Sequence, residues 1–191
     1  MADPLRQHIV GHKWKGLLVE PLKGKFAQLL QNYAHTEGLI FENAAISKAP
    51  GPATLFRVKE GHATEPWQEG LATFCPEKNA LRNLPEERID QESVDCITLM
   101  DLLKKHHIAK LDLLQIDVEG YDFEIIKLID FSAIEPVLIN YEHCNLRSHE
   151  RRQARRYLRE RGYVLIQREY DTSAVLPRYA DRLLGRSSVG L

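Results

Sequence analysis

Short apolar runs alternate with amphipathic stretches along the chain. GLLV at 16–19, LIFENAAIS at 39–47, LDLLQID at 111–117 and VLINY at 137–141 are nearly unbroken. Runs of this length suit strands buried on both faces. Phe26, Leu29, Leu30 and Tyr33 recur at helical spacing, with Pro21 placed for a first turn and Gly38 ending the segment. MDLLKKHH at 100–107, FEIIKLI at 123–129 and ERRQARRYLRERG at 150–162 predict further helices, the last closed by Gly162. In that last helix Ala154, Tyr157 and Leu158 form the face turned to the sheet. ATLFRV at 53–58 predicts a strand that pairs back, VDCITL at 94–99 a strand running into a helix, and YVLIQRE and TSAVL two closing strands. Residues 59–92 lack periodicity, repeat prolines and carry Trp67 and Phe74. They predict a long irregular insertion, either a binding loop or lid or a plain surface excursion. The alternation of strands and helices predicts an α/β fold: one domain over 1–191, with a mainly parallel sheet and helices on both faces.

Polar groups gather where these strands end. In parallel α/β sheets ligands bind beyond the carboxyl ends of the strands. Glu20, Asp117 and the pair Glu142–His143 each close a strand, and Asn43 lies near the end of another. Any one of them is explained by a strand reaching the surface, but several along one sheet edge point to a site. Nucleotide-binding α/β folds place an acid after the second strand to accept hydrogen bonds from ribose, about 20 residues beyond a glycine-rich turn. Counting back from Glu20 puts that turn before Met1, with PLRQHIVGH as the remainder of the first helix. The chain is thus expected to begin inside its own fold.

Asp117, Glu119, Asp122 and Glu124 crowd the start of a helix. They complement its dipole, which is a sufficient structural reason for them. They also repel phosphate, so a cationic ligand with a ribose and no phosphate fits better. S-adenosylmethionine has a sulfonium, an amino group and a ribose. Asp117, Glu119 and Glu142 are hard oxygen donors, but without clear ligand spacing they assign no metal.

Composition narrows the partners. Over 191 residues the formal net charge is -1, which provides no global field for nucleic acid or an anionic membrane. Cys75, Cys96 and Cys144 are widely spaced and odd in number, giving neither a disulfide framework nor a CxxC metal site. No apolar stretch approaches the roughly 20 residues of a membrane span, and MADPLRQH has no signal-peptide core, so the expected location is cytoplasmic. The arginines at 151, 152, 155, 156, 159 and 161 form a local basic face, read first as a solvated helix surface and second as an anionic-substrate contact. Oligomeric state is left open.

Taken together, LLVEP at 17–21, ENAAIS at 42–47, VDCITLMDLL at 94–103 and above all LLQIDVEGYDFEIIK at 113–127 resemble the FkbM-type methyltransferases. The resemblance covers about Lys15 to Val175 and includes the spacing of VLINYEH and RGYVLIQ. It implies a class I, Rossmann-like fold with strand order 3-2-1-4-5-7-6. It implies that Glu20 holds the ribose of S-adenosylmethionine, that Asn43 and Ala44 lie near the adenine, and that Asp117 closes the site near the methyl-donor end. The acceptor it implies is a hydroxyl oxygen of a sugar, polyketide or related small molecule. The family's first strand and its DIGANxG-type glycine loop have no equivalent in the sequence. A missing central strand is expected to leave unpaired edges and to weaken cofactor binding.

Methyl transfer to a hydroxyl needs a base for one proton. His143 is the first candidate, because imidazole titrates near pH 6.5, and Asp117 is the second. Two other classes stay open at this point: a non-catalytic remnant or interaction domain, and a metal-dependent phosphotransferase or hydrolase using Asp117 and Glu119.

Overall fold

The computed structural model describes residue 3 and residues 5–183. In chain order the elements are α1 (Arg6–His12), β1 (Gly16–Val19), α2 (Lys23–Asn32), β2 (Leu39–Glu42), β3 (Ala45–Ile46), β4 (Gly51–Val58), β5 (Ala72–Thr73) and β6 (Ile89–Ile97). They continue with α3 (Leu99–Lys105), β7 (Leu113–Ile116), α4 (Asp122–Lys127), β8 (Leu138–Glu142), α5 (Ser148–Glu160), β9 (Val164–Gln167), β10 (Asp171–Val175) and α6 (Pro177–Leu183). The chain divides into two compact units. One runs through Phe74 and includes Asn83–Thr98; the other comprises Cys75–Arg82 and the residues from Leu99 onward.

In the first unit, β1 and β2 pair in parallel across the α2 crossover, from Gly16↔Leu39 to Val19↔Glu42. Helix α2 begins without a side-chain cap from Leu22. Two carboxylates supply what is missing: Glu20 Oε1 accepts from the Leu22 amide at 2.8 Å and Glu92 Oε1 from the Lys23 amide at 3.1 Å. Both place negative charge at the positive end of the helix.

The predicted strand 39–47 is broken in two. After β2 the chain leaves its ladder at Asn43 and Ala44, and β3 pairs with β6 instead. The long partner of β6 is β4, antiparallel from Gly51↔Cys96 to Val58↔Ile89. Val94 and Cys96 point into a core with Leu22, Ala45 and Leu55, while Asp95, Ser93 and Gln91 face outward. This alternation marks a sheet with one solvated face. The insertion is shorter than expected, because β6 already begins at Ile89. It holds 3₁₀ turns and β5, with Phe74 packed against the core and Trp67 exposed.

In the second unit the strand order is β7-β8-β10-β9. β7 and β8 are parallel, whereas β10 runs antiparallel to both β8 and β9. The order matches the 4-5-7-6 part of the expected sheet. Helix α5 buries Ala154 and Leu158 completely. Tyr157 packs edge-on against Phe123 and Phe131, and the Arg161 guanidinium lies over the Tyr157 ring. Gly162 takes φ 84° just past the helix, where a left-handed residue is needed.

The expectation of a mainly parallel sheet is therefore corrected to mixed sheets. Among the described residues three strand pairings are parallel and four antiparallel. The reason is local. No α-helix lies between β4 and β6, and only three residues separate β9 from β10. Parallel pairing needs a crossover of a dozen or more residues, usually helical.

Candidate functional site

In the first unit, the turn after β1 carries Glu20. Asn43, at the point where the chain leaves β2, donates its amide to the carbonyls of Glu20 at 2.8 Å and Pro21 at 3.0 Å. The polar side chain that breaks the predicted strand thus fixes the backbone of the acid turn. Ala44 follows it and is buried. Glu20 is half-buried, and burial pushes its carboxyl above the ordinary range; the Leu22 amide and Lys25 oppose this and Glu92 adds to it. Next to this turn lies a cavity of about 430 Å³ whose lining includes Leu22, Lys25, Arg57 and Glu92. Its size falls in the range of about 300–1,000 Å³ typical of small-molecule sites.

In the second unit, β7 ends at Asp117 and the chain reverses through Glu119 and Gly120, both at positive φ, 55° and 97°. Gly120 is required twice over. A Cβ there would lie 3.1 Å from Lys78 Cβ and 3.2 Å from the Asn145 carbonyl oxygen. Lys78 belongs to the insertion segment that joins this unit; its ammonium meets Glu150 at 2.7 Å and the Gly120 carbonyl at 3.4 Å.

Asp122, the first residue of α4, is fully buried. Its Oδ1 accepts from the Glu142 amide at 3.2 Å and its Oδ2 from the Gly120 amide at 3.3 Å. It clamps the turn after β7 to the end of β8. Asn145 closes the arrangement by donating to Glu119 Oε2 at 2.8 Å and Glu142 Oε2 at 2.6 Å.

These acids raise one another. Asp117 is open to solvent on one side, but burial of the rest, then the charges of Glu142 and Asp171, push its carboxyl up to about 6. Glu119 is pushed up to about 8, by burial first and then by Glu142, Asp117 and Asp122. Asp122 is raised well above its ordinary value, again chiefly by burial. Carboxylates this close cannot all ionise cheaply, so the cluster holds protons near neutral pH and favours a cation beside it. Among the described residues no group of three or more His, Cys, Asp and Glu side chains is arranged to hold a metal ion.

His143 is buried, and its ring turns toward β9 and β10. Nδ1 lies 3.0 Å from Thr172 Oγ1 and Nε2 3.5 Å from Gln167 Nε2. Burial, and then the positive charge of Arg151, lower its pKa and keep it neutral. Alternation along β8 separates Glu142 from Tyr141 and His143. Cys144 is no nucleophile, because burial and Glu142 push its thiol up to about 12.

The sequence-predicted residues thus fall into two sets. Glu20, Asn43 and Ala44 belong to the first unit; Asp117, Glu142 and His143 belong to the second. Asn145 and Lys78 were not legible as parts of a site, and Asp122 was read only as one of the acids crowding a helix start, not as the clamp between the turn after β7 and the end of β8. Asp122 gave a signal, an acid opening a helix, but that signal is satisfied equally by dipole complementarity.

A family model described as the methyltransferase FkbM domain matches residues 3–165. Comparison with curated proteins and with solved structures found no match.

Proposed function

Because this chain belongs to the FkbM methyltransferase family, we propose that it moves a methyl group from S-adenosylmethionine to a hydroxyl oxygen of a small molecule such as a sugar. The carrying observation is the acid cluster at the end of β7, where Asp117 is accessible and titrates near 6. A base is most effective when its pKa lies near the working pH.

In the first unit the Glu20 turn suits a ligand that carries a ribose. Glu20 uses Oε1 for the Leu22 amide, and its half-buried charge gains from further donors such as a ribose diol. Asn43 holds the turn that presents Glu20, and Asn43 and Ala44 are the residues assigned to the adenine side. In the second unit, taken by itself, the negative field of Asp117, Glu119 and Glu142 suits a cationic group. When bound, the cofactor supplies a methyl group on a sulfonium, an electrophile that needs no metal. Asp117 accepts the proton of the acceptor hydroxyl, and its neighbours set the carboxyl in the neutral range. His143 is the weaker base of the two, because its ring faces Thr172 and Gln167. Asp122, Asn145 and Lys78 are positioning residues that fix the turn carrying Asp117.

The test is calorimetric titration of the full chain with S-adenosylmethionine in the presence of EDTA. Saturable heat supports the assignment. Heat that requires Mg²⁺ and a phosphate ester would replace it with a metal-dependent hydrolase or phosphotransferase, and no heat in either case would leave a binding or remnant domain.

A further inference from the structure

The second unit contains a second polar site that the proposed methyl transfer does not use. A cavity of about 120 Å³ lies among Tyr141, His143, Arg151, Arg155, Gln167 and Thr172. At about 30 Å³ per water molecule it holds roughly four waters, or one oxyanion of five heavy atoms.

Its lining presents donors. Tyr141 is completely buried, and its hydroxyl proton has no acceptor; the Thr172 hydroxyl lies beside its oxygen. An orphaned buried hydroxyl is costly unless something fills the space beside it. Arg151 and Arg155 are half-buried, one helical turn apart on α5, and among the described residues neither has a carboxylate partner. Arg151 gives Nε and Nη2 to the carbonyls of Leu146 and Cys144, which fixes its guanidinium in place. Arg155 gives Nη1 to Gln167 Oε1 at 2.8 Å.

That last bond sets the direction of the others. With Oε1 occupied, Gln167 turns its amide nitrogen toward His143 Nε2, which acts as the acceptor. The His143 proton then sits on Nδ1 and is donated to Thr172 Oγ1, 3.0 Å away. The Thr172 hydroxyl turns its proton to the Tyr141 oxygen, and the Tyr141 proton is left free to point into the cavity. One hydroxyl donor and two guanidinium groups therefore line one small space, and no carboxylate lines it.

We propose that this cavity is a binding site for a tetrahedral oxyanion, a phosphate or sulfate group, held by Arg151, Arg155 and the Tyr141 hydroxyl. The inference stands independently of the methyltransferase reading. Guanidinium groups and hydroxyls are the donors best matched to such oxygens. The cavity size admits the oxyanion group alone, so any larger substituent must leave through the opening.

The experiment titrates the full chain with inorganic phosphate against sodium chloride at matched ionic strength. It follows thermal stability and the arginine Nε–Hε resonances by NMR. Phosphate is expected to give a saturable rise in melting temperature and to shift the Arg151 and Arg155 signals. Tyr141→Phe removes one oxygen and keeps the packing. It should weaken phosphate about three- to tenfold, yet without phosphate be at least as heat-stable as the parent. Arg155→Gln should weaken phosphate about ten- to hundredfold. Methyl phosphate in place of phosphate separates the sources. Equal binding identifies a phosphate carried by a larger molecule, and exclusion of the ester identifies a free ion. Phosphate and chloride acting alike, or both variants keeping the parent's phosphate affinity, would overturn the proposal.

Discussion

The turns after β1 and after β7 share one plan, a strand closed by an acid and followed by a helix, and they solve different problems. The Glu20 turn carries one acid. It is fastened from outside by the Asn43 amide, and the carboxylate caps α2 through the Leu22 amide. The Asp117 turn is fastened from within by other acids, with Asp122 clamping two backbone amides and Asn145 bridging Glu119 and Glu142. A lone carboxylate is suited to accept hydrogen bonds from a ligand. A crowd of carboxylates shares protons and is suited to remove one. Glu20 has one acidic neighbour, Glu92, whereas Asp117 and Glu119 are raised by several acids, so crowding rather than residue type sets the two turns apart.

The largest effect that would break this contrast is at Gly120. Gly120→Ala places a Cβ between Lys78 and the Asn145 carbonyl at a φ of 97°. It should destabilise the chain by about 3 kcal/mol, measured by denaturant unfolding. Retention of full stability would mean that the acid turn is looser than its stitching implies.

Asn43→Ala removes two hydrogen bonds to backbone carbonyls. At about 1 kcal/mol each the expected loss is about 2 kcal/mol. Hydrogen exchange should show faster opening at the Leu22 and Lys23 amides, while the turn after β7 is unchanged.

Glu142→Gln sharpens the contrast by electrostatics. Glu142 is the largest charge raising both Asp117 and Glu119. Side-chain carboxyl NMR should show Asp117 titrating below its value of about 6 and Glu119 below about 8. In the parent, folded Asp117 and Glu119 bind protons more tightly than the unfolded chain does, whose values are 3.8 and 4.5. Their contribution to stability is present below about pH 4 and is lost as pH rises through about 6 and then about 8. The stability of the parent should therefore fall across that window, and Glu142→Gln should flatten the fall. An identical slope in the two proteins would show that the carboxylates are not coupled.

Much of this was legible in the sequence where one principle acted alone. The runs at 16–19, 111–117 and 137–141 contain β1, β7 and most of β8, and Ala154 and Leu158 were placed on the buried face of α5 by spacing alone. Legibility failed where tertiary contacts overrode the local pattern. The run 39–47 is mostly apolar and reads as one strand, yet it breaks at Asn43 because that amide finds the carbonyls of another turn. The antiparallel pairing of β4 with β6 spans a segment without periodicity, so no local signal announced it. Glu20 and Asp117 stood out as candidates because acids at strand ends are conspicuous, and each does directly follow a strand. Tyr141 did not stand out, because in VLINY it reads as core, and only its surroundings show that the hydroxyl proton lacks an acceptor.

The most direct measurement of the account is the dissociation constant of S-adenosylmethionine for Glu20→Ala against the parent, with circular dichroism confirming that both are folded. Losing charge-assisted hydrogen bonds worth roughly 1.5–3 kcal/mol should weaken binding about ten- to hundredfold. An unchanged dissociation constant in a folded Glu20→Ala protein would contradict the assignment of Glu20 as the residue that receives the cofactor.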